Sequence, residues 1–192
     1  MIAILKYNTG NSTSVKNSVE RLGYECIITD NETELLKADK VIFPGVGEAK
    51  SAMKHLIDNG LDKVILKIKK PFLGICLGMQ LMCESTEEGN TKCLGIFNTK
   101  VKLFPSTKPV PHVGWNNFTT INGLLFKDIA LNNDVYFVHS YYVELNPYSI
   151  AECDYILPFC VAINYKNYYG TQFHPEKSSE IGQSILKNFL KL

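Results

Sequence analysis

The sequence predicts an α/β fold in which a Rossmann-like, mixed but mostly parallel central sheet gains an antiparallel extension in the C-terminal half. Three observations predict it. Short apolar runs alternate with helical patterns from Ile2 to Glu84, several of those runs end in glycine- or asparagine-bearing turns, and the stretch from Gly95 to Phe173 is rich in aromatic and β-branched residues.

Taken in order, Ile2 to Lys6 reads as a strand. Ser12 or Thr13 caps a helix that gathers Val15, Val19 and Leu22 on one face, and Gly23 ends it. Strands at Cys26 to Thr29, Val41 to Phe43 (the run beginning at Lys40) and Phe72 to Ile75 alternate with helices at Ala49 to Asn59, Leu61 to Lys69 and Leu77 to Glu84. In such sheets ligands sit at the carboxyl ends of the strands, so the segments Asn8 to Asn11, Gly45 to Gly47 and Cys76 are expected to meet along one edge. Turns at Pro105, Asn116-Asn117, Asn122-Gly123 and Pro147 divide the back half into strands that extend the sheet, one of them Asp134 to Val138. Ser179 to Leu192 returns to a helix with Ile181, Ile185 and Phe189 on one face.

A chain of 192 residues with 45% hydrophobic content is long enough for a substantial core, and nothing in it reads as a linker, repeat or low-complexity run. A single domain over residues 1–192 is expected. Twenty basic against nineteen acidic residues leave a formal charge of +1, which excludes an electrostatic case for nucleic acid or an anionic membrane as main partner. The apolar start Met1 to Leu5 is broken at Lys6, too soon for a signal-peptide core, so a cytoplasmic protein is expected. Six cysteines (Cys26, Cys76, Cys83, Cys93, Cys153, Cys160) form no C-x-x-C pair and no metal-spaced cluster with histidine; five read as reduced and structural, and neither metal nor cofactor is expected.

The sixth cysteine is different. Cys76 stands where the apolar run Pro71 to Ile75 turns into a helical pattern, bracketed by Gly74 and Gly78. Glycines there relieve crowding and admit a substrate, and helix-terminal amides favour a thiolate, so Cys76 reads as a nucleophile. A base is needed. His174 ends a β-prone aromatic run, Pro175 stops the strand, and Glu176 lies where its carboxylate can return to one ring nitrogen and leave the other for the thiol. His139 also ends a strand and competes for the role; the adjacent carboxylate favours His174, while His55 and His112 read as structural. Pro44-Gly45-Val46-Gly47 follows a strand and leaves backbone amides free to hold a developing oxyanion.

In the order Pro-Gly-Val-Gly, Gly-Ile-Cys-Leu-Gly, Phe-His-Pro-Glu, these segments resemble the class I (triad) glutamine amidotransferases over nearly the whole chain. Within that family the opening Tyr7-Asn-Thr-Gly10-Asn11, Pro111-His-Val-Gly-Trp115-Asn116, Phe137-Val-His139-Ser-Tyr141 and Phe173-His-Pro-Glu-Lys177 are most similar to the glutaminase subunits of imidazole glycerol phosphate synthases. Lys6 and Val113 depart from the usual acidic residue and methionine. The resemblance implies Cys76, His174 and Glu176 as catalytic triad, with amides near Val46, Gly47 and Leu77 as oxyanion hole. It further implies Gly45, Gln80, Ser140 and Tyr141 around the glutamine, and Asn11, Trp115, Tyr136 and Lys177 at the interface with a barrel-type cyclase subunit. For Gln80 a solvated helix position, and for Trp115 and Tyr136 a place in the core, are the alternatives. No second site is visible in the chain, so the ammonia acceptor is expected on that partner. Amidation of a sugar for a surface glycan is the alternative acceptor chemistry. More remote readings are a cysteine hydrolase of another class and a catalytically silent binding subunit, because all three triad residues and the full Phe-His-Pro-Glu segment are present.

Overall fold

The structure is a computed structural model that describes residues 1–8 and 11–192; Thr9 and Gly10, inside the expected Asn8 to Asn11 turn, lie outside the described residues. The front half alternates through β1 (Ile2–Leu5), α1 (Ser12–Arg21), β2 (Cys26–Thr29), α2 (Glu32–Lys37), β3 (Lys40–Phe43), α3 (Ala49–Asp58), α4 (Leu61–Lys67), β4 (Phe72–Ile75) and α5 (Leu77–Leu81). The back half is built from β5 (Ser85–Thr86), β6 (Thr91–Lys92), β7 (Lys100–Leu103), β8 (His112–Asn117), β9 (Thr120–Ile121), β10 (Asp134–His139), β11 (Tyr141–Val143), β12 (Ser149–Asp154), β13 (Pro158–Tyr165) and β14 (Tyr168–Thr171), before α6 (Ser179–Leu190). Strands β2, β1, β3, β4 and β14 lie side by side in that order and run parallel. β13, β11 and β7 continue the same sheet with antiparallel pairing, and β12 pairs with β13.

The central strands β1 and β4 are apolar and buried along their whole length because both of their faces are covered, and the alternation of side chains divides the core in two. Ala3, Leu5, Val41, Phe43 and Phe72 pack on one face with Leu35, Met53, Leu56, Val64 and Met79 from the helices. Ile2, Ile4, Ile42, Leu73 and Ile75 pack on the other with Val15 and Val19 of α1 and Ile185 and Phe189 of α6. Each fully buried side chain of this size contributes about 1.5–3 kcal/mol, so the short helices are held mainly by their apolar faces rather than by propensity. Among the described residues no helix is long and apolar enough to cross a membrane.

Several boundaries differ from expectation. α2 has no counterpart in the sequence reading. Its only buried residue is Leu35, too little for a period, and it is started instead by Asn31, whose side chain accepts from the Glu34 amide. α1 is preceded by Asn11 rather than capped by Ser12 or Thr13. α5 stops at Leu81 instead of Glu84, because the Met82 and Cys83 amides tighten onto Met79 and Gln80 and the Glu84 amide pairs with Thr99. Asn116 and Asn117 belong to β8, not to a turn. Finally, β8 and β10 form their own two-stranded antiparallel sheet rather than lengthening the main one. Val135 and Phe137 on its inner side join the core over the sheet, against Phe173, so this strand pair stacks on a face instead of adding to an edge.

Candidate active site

The strand order explains why three distant segments meet. β3, β4 and β14 are parallel neighbours, so whatever follows their carboxyl ends emerges at one place. After β3 comes the Gly45 to Gly47 turn, after β4 comes Cys76, and three residues beyond β14 comes His174. The Cys76 amide donates to the Thr171 carbonyl at 2.7 Å, which ties Cys76 to the end of β14. Cys76 itself has φ 52° and ψ −108°. A non-glycine residue in that region costs on the order of 1–3 kcal/mol and is held there by its surroundings; the result is a sharp turn that lifts the thiol out of the sheet.

Gly78 matters through close approach rather than through its own φ: a Cβ at that position would sit 2.0 Å from the Phe43 carbonyl oxygen. Its absence lets α5 press against the end of β3 and brings the Gly45 to Gly47 turn beside Cys76. Gly47 has φ +110°, a conformation that L side chains avoid, so this turn depends on glycine for a different reason. α5 is only five residues long, and its dipole contributes less to the thiolate than the sequence pattern suggested.

His174 is completely buried, and its Nδ1 pairs with Glu176 Oε1 at 2.7 Å. That bond fixes the tautomer, while Nε2, buried without a hydrogen-bond partner among the described residues, is left beside the Cys76 sulfur. Burial alone would pull the imidazole down, but the Cys76 thiolate and the Glu176 carboxylate outweigh it and raise the ring to about 10. The backbone holds the ring too: the His174 amide donates to the Tyr136 carbonyl, the Tyr136 amide to Ser178 Oγ, and Ser178 Oγ to the His174 carbonyl. Asn11 Nδ2 donates to Glu176 Oε1 at 3.1 Å.

A cavity of about 310 Å³, within the size range of small-molecule sites, opens beside the sulfur. Val46, Gly47, Cys76, Leu77, Gln80, Ser140 and Tyr141, all expected here, line it. Gly45 does not; it lies behind the wall, so close to Tyr7 Oη and the Gly78 amide that a Cβ would meet both under 3 Å. Gln80 is buried rather than solvated and donates to the Tyr141 carbonyl and Gln172 Oε1. Glu88, which the sequence reading missed, also lines the cavity. Burial raises its carboxyl, and Oε2 accepts from the Ala49 amide. It sits in a short turn with no periodicity or motif to mark it.

His139 lines the same cavity with both nitrogens engaged, Nδ1 with the Tyr141 carbonyl and Nε2 with His112 Nδ1. Burial pushes His139 down to about 3 and His112 down to about 4, so neither is a ready base. Trp115 is 53% exposed and stacks edgewise on the half-buried Tyr136 across the outer side of β8 and β10, and Lys177 is exposed. Asn11 departs from a surface position: it is 5% exposed, with its side chain turned inward to Glu176. The other cysteines are free and buried, and burial raises the thiols of Cys26, Cys83, Cys93, Cys153 and Cys160.

The family model for glutamine amidotransferase class-I matches residues 4–192. The chain is 53% identical over 194 residues to imidazole glycerol phosphate synthase subunit HisH of Bacteroides fragilis strain YCH46, covering 100% of this chain and 99% of that protein. It is 46% identical over 192 residues to the protein of the same name from Pasteurella multocida strain Pm70, covering 99% and 97%. Among solved structures, a putative GMP synthase protein from Thermoplasma acidophilum superposes with a TM-score of 0.78 at 20% identity, covering 100% of this chain and 92% of that one, a likeness of fold. The chain belongs to the class I glutamine amidotransferases.

Proposed function

We propose that this chain is the glutaminase subunit of an imidazole glycerol phosphate synthase, one catalytic domain spanning residues 1–192. It hydrolyses glutamine to glutamate and ammonia, and a barrel-type cyclase subunit uses that ammonia to make imidazole glycerol phosphate and AICAR in histidine biosynthesis. The observation that carries the reading is the alignment of Cys76, His174 and Glu176 at the ends of adjacent parallel strands, with the sulfur on the wall of a cavity. The printed name of relatives 46–53% identical over the whole chain supports the pathway.

In this mechanism the Cys76 thiolate attacks the side-chain carbonyl carbon of glutamine. The C–N bond breaks as His174 Nε2 gives its proton to the departing ammonia, leaving a thioester on Cys76. Water then attacks the thioester, giving its proton to the same nitrogen; glutamate leaves and the thiolate is restored. Glu176 keeps the imidazole in one tautomer and supports its charge. The amides of Val46, Gly47 and Leu77 bind the oxyanion, where losing one donor costs on the order of a hundredfold to a thousandfold. Gln80, Ser140 and Tyr141 hold the amino-acid head of glutamine, and the Glu88 carboxylate pairs with its α-ammonium. Glu88→Gln is expected to raise KM for glutamine on the order of tenfold with little change in kcat, since a charge-assisted hydrogen bond is weakened far from the reacting amide. A kcat loss at constant KM, in steady-state glutamate release, would contradict that assignment.

Trp115, Tyr136 and Lys177 are assigned to the cyclase interface, and Asn11 acts there only through Glu176. Lys6 and Val113, the two departures from the family pattern, are exposed. The isolated chain is expected to be a poor glutaminase that the ligand-loaded cyclase stimulates, because a peptide at Gly47 can reorient at low cost and complete or empty the oxyanion hole. Each tenfold of stimulation corresponds to about 1.4 kcal/mol of differential binding. The test is glutamate release by the chain alone, with a barrel-type cyclase, and with cyclase plus its phosphorylated nucleotide ligand. Full activity of the chain alone would refute the switch. Stimulation by a sugar-modifying synthase but not by the cyclase would move the chain to the sugar-amidation reading.

A further inference from the structure

Gln172 stands two residues before His174, is completely buried, and has no part in the mechanism above. Its backbone is fixed, the amide donating to the Val161 carbonyl at 2.8 Å just beyond the end of β14. Its side chain bridges two groups of the active site: Oε1 accepts from Gln80 Nε2 at 2.8 Å, and Nε2 points at Cys76 Sγ at 3.6 Å.

Which end of this amide faces the sulfur follows from one backbone carbonyl. The Tyr141 oxygen is an acceptor only, and Gln80 lies 2.9 Å from it, so the Gln80 group there is the NH₂. The second proton of that NH₂ requires an acceptor on Gln172, which puts Gln172 Oε1 toward Gln80 and the Gln172 NH₂ toward Cys76. The same carbonyl takes Nδ1–H of His139 at 2.7 Å, leaving His139 Nε2 to accept from His112 Nδ1–H at 3.1 Å. Every bond in the network then has one donor and one acceptor, with a donor aimed at the sulfur at its end. An amide donor gains little from a neutral thiol but makes a charge-assisted bond to a thiolate. A primary amide this deeply buried is costly if left unpaired, so its place beside the sulfur calls for both ends to be used.

We propose that Gln172 is a further catalytic residue: its side-chain amide donates to the Cys76 sulfur, stabilises the thiolate before attack and after thioester hydrolysis, and aims it at the cavity. The role rests on the glutaminase reading only for its consequence in turnover; the hydrogen bond to the sulfur stands apart from it.

Two variants separate this role from simple packing. Gln172→Met keeps an unbranched chain of similar length without a donor. Gln172→Glu keeps an acceptor for Gln80 and sets a negative charge beside the sulfur. The rate of iodoacetamide alkylation at Cys76, followed by mass spectrometry of the Cys76 peptide across pH, is expected to shift its midpoint upward by about one unit in Gln172→Met, and further in Gln172→Glu. With the cyclase and its ligand present, kcat for glutamine is expected to fall on the order of tenfold in Gln172→Met, with KM nearly unchanged. Thermal unfolding is measured in parallel, and if Gln172→Met does not fold, Gln172→Glu decides. Alkylation midpoints equal to wild type, whatever the stability, would overturn the proposal and reduce Gln172 to a tie between β14 and α5. A shifted midpoint together with unimpaired turnover in Cys76→Ala would instead leave the hydrogen bond standing and sink the glutaminase mechanism.

Discussion

Cys76→Ala is expected to fold and to lose glutamine hydrolysis by at least about a thousandfold in the presence of the cyclase and its ligand; Cys76→Ser is expected to do scarcely better. The physical grounds are local. Cys76 contributes a small side chain on the wall of the cavity, with its backbone set by the Thr171 carbonyl and the packing of α5, so its removal leaves the turn intact. A serine hydroxyl in the same place is far less acidic than a thiol and a poorer nucleophile toward the amide. Appreciable glutamate release by folded Cys76→Ala would mean that another group attacks the amide.

The second large effect belongs to the base. His174→Asn is expected to cost nearly as much as loss of the sulfur, because in the proposed mechanism proton delivery to ammonia and activation of water both pass through Nε2. Glu176→Gln is expected to keep the fold and an intermediate activity, since the imidazole remains while its charged orienting partner is lost. The pH dependence should distinguish them. With the imidazole raised to about 10 by Cys76 and Glu176, removal of the Glu176 charge lowers the pH at which the ring gives up its proton, and the alkaline limb of the activity profile moves down with it. If His139→Asn were inactivating and His174→Asn mild, the base would have been misassigned; the engagement of both His139 nitrogens argues against that outcome.

The front half of the fold was legible because its strands are mostly apolar runs separated by helical patterns, with Gly47 and Cys76 each following such a run and His174 following a β-prone aromatic one. Sheet order then does the rest: β14 falls next to β4, although Gln172 just past β14 lies 96 positions after Cys76 and the hairpin of β13 and β14 arrives late in the chain. What remained hidden depends on contacts that periodicity does not encode. α2 has a single buried residue and is set by the cap at Asn31. The β8–β10 pair alternates as any surface strand pair does, and nothing in its sequence distinguishes stacking on a face from joining an edge. Glu88 reaches the cavity from a short turn, and Gln80 meets Gln172 across the ends of α5 and β14. The resemblance puts Asn11 at the partner interface, yet its side chain is buried and donates to Glu176, a contact over 165 positions that no local pattern marks.

The most direct measurement on the central claim is the site of covalent capture by a glutamine-derived chloroketone, mapped by peptide mass spectrometry on the chain bound to its cyclase. The account predicts one adduct, on Cys76, prevented by excess glutamine and absent in Cys76→Ala, with the buried Cys26, Cys83, Cys93, Cys153 and Cys160 unmodified. An adduct on a different residue, or labelling of Cys76 that glutamine does not protect against, would contradict it.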